Sequence, residues 1–192
     1  MSSEREFDLV IFGATGFTGF FVVRELCLSI AEKPDEYSNL KWAVAGRNDK
    51  KLSEVLAKVG AELSKDLSSV VKIEADVTDA KSLAAMASRT KLVINCVGPY
   101  RFYGRQVVEA CLNEGTHHID ISGEPQYIES IQVEFNAKAK EKDILVVSTC
   151  GWDSIPCDLG VDFLKRKFDG KLHHVETFMA TRPGPEVTLY LI

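Results

Sequence analysis

At 192 residues with 45% apolar content, the chain is long enough to bury the core of one domain and to begin a second. Its formal charge of -5, with lysines and arginines spread among acids, argues against a nucleic-acid surface, and Lys165-Arg-Lys167 reads as the solvated end of a helix. The cysteines at 27, 96, 111, 150 and 157 form no C-x-x-C pair and lie in or beside apolar runs, which predicts reduced, mostly buried thiols rather than disulfides or a metal site. The polar start Met1-Ser-Ser-Glu-Arg-Glu6 and the short first apolar run predict neither a signal peptide nor a membrane span.

The first element is the apolar run Phe7–Phe12, read as a strand, which enters Gly13-Ala-Thr-Gly16-Phe-Thr-Gly19. Glycines spaced by three between a strand and an amphipathic segment form a phosphate turn. Gly13 permits the sharp turn, Gly16 removes the side chain that would hold a diphosphate away, and Gly19 lets the helix lie close on the sheet. The helix N-terminus offers free N–H groups and a positive dipole end to the phosphates. On this reading Gly13, Thr15, Gly16, Phe17, Thr18 and Gly19 hold a dinucleotide.

A helix follows over 17–31, ended by Lys33-Pro-Asp35; then a strand at 42–45, a helix over 49–63 and a strand at 70–73. The second half repeats the rhythm: helix 79–89, strand 92–96, helix 104–113, strand 118–121, helix 125–142 and strand 144–148. Six short strands alternating with helices predict an α/β fold, a doubly wound parallel Rossmann sheet of order 3-2-1-4-5-6, over residues 1–150. Residues 151–192 read as the start of a second α/β domain: a loop at 151–156, a helix over 158–168 with Leu159, Phe163, Leu164 and Phe168 inward, and a strand at 174–181.

Strand two ends Ala45-Gly46-Arg47 where an acid would select NAD, so Arg47 favours NADP, by meeting a 2′-phosphate. The alternative is a surface arginine, and Asp49 nearby keeps NAD open. Asp76, after strand three, reaches the adenine amino group or caps its own turn. Val97 and Gly98 leave strand four on the other side of the crevice, where glycine permits close passage of the cofactor. Tyr37 and Lys41 match Y-x-x-x-K by chance, because they precede strand two. Asp120, Ser122 and Glu124, clustered after strand five where they can face the crevice, and Asp153, Ser154 and Asp158 after strand six have a catalytic look, but the preferred reading of both clusters is helix capping. His117 with His118 and His173 with His174 are adjacent pairs, which point to opposite faces of a strand and so cannot chelate one metal. No catalytic residue stands out.

Five stretches together, Phe12–Gly19, Trp42–Arg47, Asn95–Gly104, Asp120–Pro125 and Asp153–Gly160, make the chain resemble the saccharopine dehydrogenase-like oxidoreductases of animals, from about residue 7 to residue 186. The resemblance implies a Rossmann domain followed by a second α/β domain, and NADP-dependent oxidoreductase activity. Related bacterial enoyl reductases of glycolipid synthesis imply a lipid-like substrate. It also implies a place at the cytosolic face of intracellular membranes or lipid droplets, through regions outside this chain. Family members are considerably longer, and Val187-Thr-Leu-Tyr-Leu-Ile192 departs from their continuation, so the expectation is a truncated or alternatively spliced form, inactive alone. The alternative reading is a non-catalytic nucleotide-binding scaffold or redox sensor. An atypical short-chain reductase is weaker, because no Tyr/Lys pair follows strand four.

Overall fold

The computed structural model describes residues 4–180. Short runs rich in β-branched and aromatic side chains form Phe7–Phe12 (β1), Trp42–Gly46 (β2), Val71–Glu74 (β3), Thr90–Asn95 (β4), His117–Asp120 (β5) and Val146–Val147 (β6). All pair in parallel, in the order β3-β2-β1-β4-β5-β6. The chain divides into two units, Met1–Gly151 and Trp152–Ile192.

Amphipathic segments supply the crossovers: Phe17–Glu32 (α1), the short Pro34–Tyr37 (α2), Asp49–Leu63 (α3), Ala80–Ser88 (α4), Tyr100–Glu114 (α5) and Pro125–Glu141 (α6). Alternation along the strands sorts the core onto two faces. Ile11 and Val44 pack with Val23, Cys27, Leu52, Leu56 and Val59 of α1 and α3. Val10, Phe12, Ala43 and Ala45 pack on the other face with Leu83, Met86 and Val107 of α4 and α5. A third cluster, with Val108, Leu112, Ile131 and Phe135, joins α5 to α6. Val10, Ile11, Val44 and Val93 are fully buried, as expected of central strands in a parallel sheet covered on both faces.

The structure departs from the sequence expectation at several element ends. Strand six is two residues long rather than five. The Ile144 N–H bonds back to Ala139 O, the Leu145 N–H goes to the His117 side chain, and Thr149 turns the chain away at φ 63. Helix α5 starts at Tyr100, four residues early, because the Glu124 carboxylate accepts the Tyr100 and Arg101 N–H groups.

In the second unit, Ile155–Lys167 (α7) begins inside the expected loop, with Ser154 as its N-cap and a proline in its first turn. Leu159, Phe163, Leu164 and Phe168, expected inward, are exposed. Residues 171–180 carry no regular structure, so the expected strand does not form over its described part, and 183–192 lie outside the described residues. With no strands of its own among the described residues, this unit offers α7 no sheet to bury its apolar side chains against. No helix among the described residues is long and apolar enough to cross a membrane.

Candidate functional site

Because strand order reverses between β1 and β4, the loops after these two strands diverge and leave a crevice at the C-terminal edge of the sheet. The turn after β1 is built by close backbone contacts. Gly13 sits at φ 86, and a Cβ there would stand 2.7 Å from Val97 Cγ2. Gly19 lies so close beneath the turn that a Cβ would overlap Gly13 O. Gly16 is the open position of the three, with Gly13 O at 3.4 Å as the nearest atom to an added Cβ.

Gly16 is also the N-cap of α1, and it leaves the helix end bare. No side chain caps it, and no acid stands in the first turn. The N–H groups of Phe17, Thr18 and Gly19 therefore have no intrahelical acceptor and carry the positive end of the helix dipole.

A cleft of about 270 Å³ opens beside this turn. Six expected residues, Gly13, Thr15, Gly16, Arg47, Val97 and Gly98, line it. Phe17, Thr18, Gly19 and Asp76 do not. Phe17 is 78% exposed, its ring meeting that of Phe21 edge to face at 5.1 Å. Asp76 Oδ1 accepts both the N–H and the hydroxyl of Thr78, each at 2.8 Å. These bonds, and the Arg47 charge after them, hold its carboxyl below the usual range.

Phe12, Gly46, Val77, Thr78, Cys96 and Tyr103 complete the wall, and sequence reasoning missed them. Val77 and Thr78 follow the end of β3, a place legible from strand order alone. Tyr103 is hidden in the sequence because the apolar pattern starts this helix at Gly104, one residue after it. Burial, then the charge of Asp120, pushes the Cys96 thiol up to about 12, so it is no nucleophile at neutral pH. A larger hollow of about 440 Å³ lies by α3, away from the crevice. Its lysines are already engaged, Lys65 with Cys27 O and Lys72 with Asp49 and Ser53.

The other half of the crevice rests on a buried polar network. Asn95 Oδ1 accepts the Val97 N–H at 3.0 Å, and Asn95 O accepts the Tyr100 hydroxyl at 2.8 Å. Asn95 Nδ2 lies 3.4 Å from His118 Nε2. Asp120, on the neighbouring strand, is fully buried and binds the loops after β5 and β6. His118 is buried and His117 partly exposed, which follows from their opposite directions on β5. No cluster among the described residues could hold a metal ion.

A six-stranded parallel sheet in this order, with a glycine turn feeding a bare helix end at the switch between β1 and β4, defines a Rossmann nucleotide-binding domain. The family profile of the saccharopine dehydrogenase NADP binding domain matches residues 9–147, and the chain belongs to that family, whose cofactor is NADP.

The Lipid droplet localized protein of Caenorhabditis elegans is 49% identical over 179 residues, covering 93% of this chain and 41% of that protein. The human Saccharopine dehydrogenase-like oxidoreductase is 46% identical over 187 residues, covering 96% of this chain and 43% of that protein. The chain thus spans about two fifths of the length of these relatives. Apo histidine-tagged saccharopine dehydrogenase (L-Glu forming) from Saccharomyces cerevisiae superposes with a TM-score of 0.60 at 18% identity, over 83% of this chain and 32% of that one. At that identity the likeness shows the fold.

Proposed function

We propose that this chain is the cofactor-holding part of an NADP-dependent oxidoreductase. The diphosphate is held at the N–H groups of Phe17, Thr18 and Gly19, the 2′-phosphate at Arg47, and the adenosine against Val77, Val97 and Gly98. The observation that carries the reading is the bare N-terminus of α1, which no side chain caps and where Gly16 leaves the approach open. Arg47 supplies the cation on the same wall. Asp76 shapes the turn that brings Val77 and Thr78 onto it. When bound, the nicotinamide supplies hydride exchange; this chain binds and orients it.

The wider reading is a lipid-like substrate and peripheral attachment to membranes or lipid droplets at their cytosolic face. The name of the worm relative supports the attachment. Residues 151–192 open the second domain, and substrate contacts belong to the portion of the relatives that this chain does not span.

Fluorescence titration with NADPH and NADH tests the cofactor assignment. NADPH is expected to bind more tightly, and Arg47→Ala to remove the preference. Binding of neither, or tighter NADH binding untouched by Arg47→Ala, contradicts it.

One observation favours a second reading, a scaffold that holds the cofactor without turnover. The ionisable side chains on the cleft wall are Arg47, Cys96 and Tyr103, with no carboxylate, lysine or imidazole to move a proton. Hydride exchange into acyl substrates by the human relative, and not by this chain, assigns the holding role to this chain. Turnover by this chain alone contradicts the scaffold reading.

A further inference from the structure

Asp120 closes β5 in register with Asn95 of β4, and its side chain is fully buried. Oδ1 accepts the Ser122 N–H at 3.0 Å and the Thr149 N–H at 3.4 Å. Oδ2 accepts the Tyr127 hydroxyl at 2.8 Å and the Ser148 hydroxyl at 3.0 Å. Four donors from two loops and a helix thus converge on this one carboxylate.

This charge has no cation beside it. The nearest base among the described residues is His118, with Nδ1 3.9 Å from Asp120 Oδ2. That imidazole is fully buried and its Nδ1 has no hydrogen-bond partner. Burial holds it neutral, against the opposing pull of Asp120. The other titratable groups around the carboxylate are the hydroxyls of Tyr100 and Tyr127 and the thiols of Cys96 and Cys150, all kept protonated, with burial as the first cause. Every lysine and arginine ion pair among the described residues lies elsewhere.

A buried charge that no cation compensates costs stability even when hydrogen-bonded, so its location matters. A dinucleotide lies across the switch point with one nucleotide on each half of the sheet. With the 2′-phosphate at Arg47 on the β2 side and the adenosine reaching Val97 and Gly98 after β4, the nicotinamide half falls farther along, to the side of β5 and β6, where Asp120 is fixed. The oxidised nicotinamide ring carries a positive charge, and gaining a hydride makes it neutral.

Resting on the NADP reading above, we propose that Asp120 biases the domain toward the oxidised cofactor, its fixed negative charge attracting the cationic ring of NADP+ and not the neutral ring of NADPH, while acting alike on the phosphates common to both. The four hydrogen bonds hold the carboxylate in place and bring no cation to it. Asp120 therefore acts through its field and needs no contact with the cofactor.

The test is the ratio of dissociation constants for NADPH and NADP+, measured by calorimetry on the 192-residue chain. Asp120→Asn and Asp120→Ser remove the charge and shift the ratio toward NADPH by roughly two- to tenfold, the range expected for one charge acting through a protein rim. Tyr127→Phe and Ser148→Ala keep the charge and so keep the ratio, even where both affinities fall. A purely structural Asp120 would weaken both forms alike. A ratio unchanged in whichever neutral variant folds, or shifted equally by Tyr127→Phe, overturns the proposal. A wild-type chain that binds neither form overturns the NADP reading on which it rests.

Discussion

Arg47 is exposed on the cleft wall and makes no ion pair among the described residues, so its removal costs the fold little beyond its attraction to Asp76. Arg47→Ala is expected to weaken NADPH about tenfold to a hundredfold, the worth of a charge-assisted phosphate contact, and to leave NADH and the unfolding midpoint unchanged. Fluorescence titration and a urea melt of the same preparation check both halves. Gly19 is the opposite case. Because a Cβ there would strike Gly13 O and stand 2.8 Å from Ala14 Cα, Gly19→Ala must push α1 off the turn. A loss of about 1–3 kcal/mol in urea unfolding is expected, together with weaker NADPH binding. Gly123→Ala, where an added Cβ meets nothing within 4 Å, is the neutral control. These glycines were legible in the sequence because their pattern is local. Tyr103 was not, because its place depends on α5 starting at Tyr100, and that start is set by Glu124 from a distant loop.

Among the elements, α5 shows how far a cap can come from its helix. Pro99 precedes α5 and caps nothing with its own side chain. The Glu124 carboxylate reaches over from the next loop to accept the Tyr100 N–H at 2.7 Å and the Arg101 N–H at 3.0 Å. Glu124→Ala is expected to lower stability by about 1 kcal/mol, read as a drop in thermal midpoint, with Glu124→Gln recovering part of the loss. Sequence reasoning placed Glu124 among capping groups but tied it to the helix it precedes, and α6 receives no side-chain cap from it. Local spacing shows that a residue can cap; which helix it caps depends on how neighbouring loops fold. The same limit shortened β6. An apolar run of five residues reads as a strand, whereas the fold spends the first two on closing α6 and on a bond to His117.

Over the whole molecule the sheet order was legible, since alternating strands and helices leave few right-handed arrangements. The polar network under it was not, because it joins residues from two strands, two helices and the loops after β5 and β6. That network gives stability a pH dependence. Burial lowers the His118 pKa from its ordinary 6.5 to about 4. Between these values the unfolded chain takes up a proton that the folded chain refuses. The contribution is therefore complete above about 6.5 and is lost progressively as the pH falls toward 4. The exposed Glu6 and half-buried Asp8 carboxylates, lowered chiefly by their bonds to Arg89 and Lys91, act in the same direction but at lower pH, as their folded values are passed. Urea midpoints measured at pH 7 and pH 5 are expected to fall, and His118→Gln to flatten the difference.

Helices α1 and α5 both rise from the same edge of the sheet, after neighbouring strands, so two positive helix ends sit side by side. Glu124 supplies an internal anion to one of them, while the other keeps its N–H groups outward. A diphosphate arriving at this edge therefore finds one acceptable berth rather than two equivalent ones. On the binding mode proposed above, that single berth sets where the middle of the dinucleotide sits before either base touches the protein.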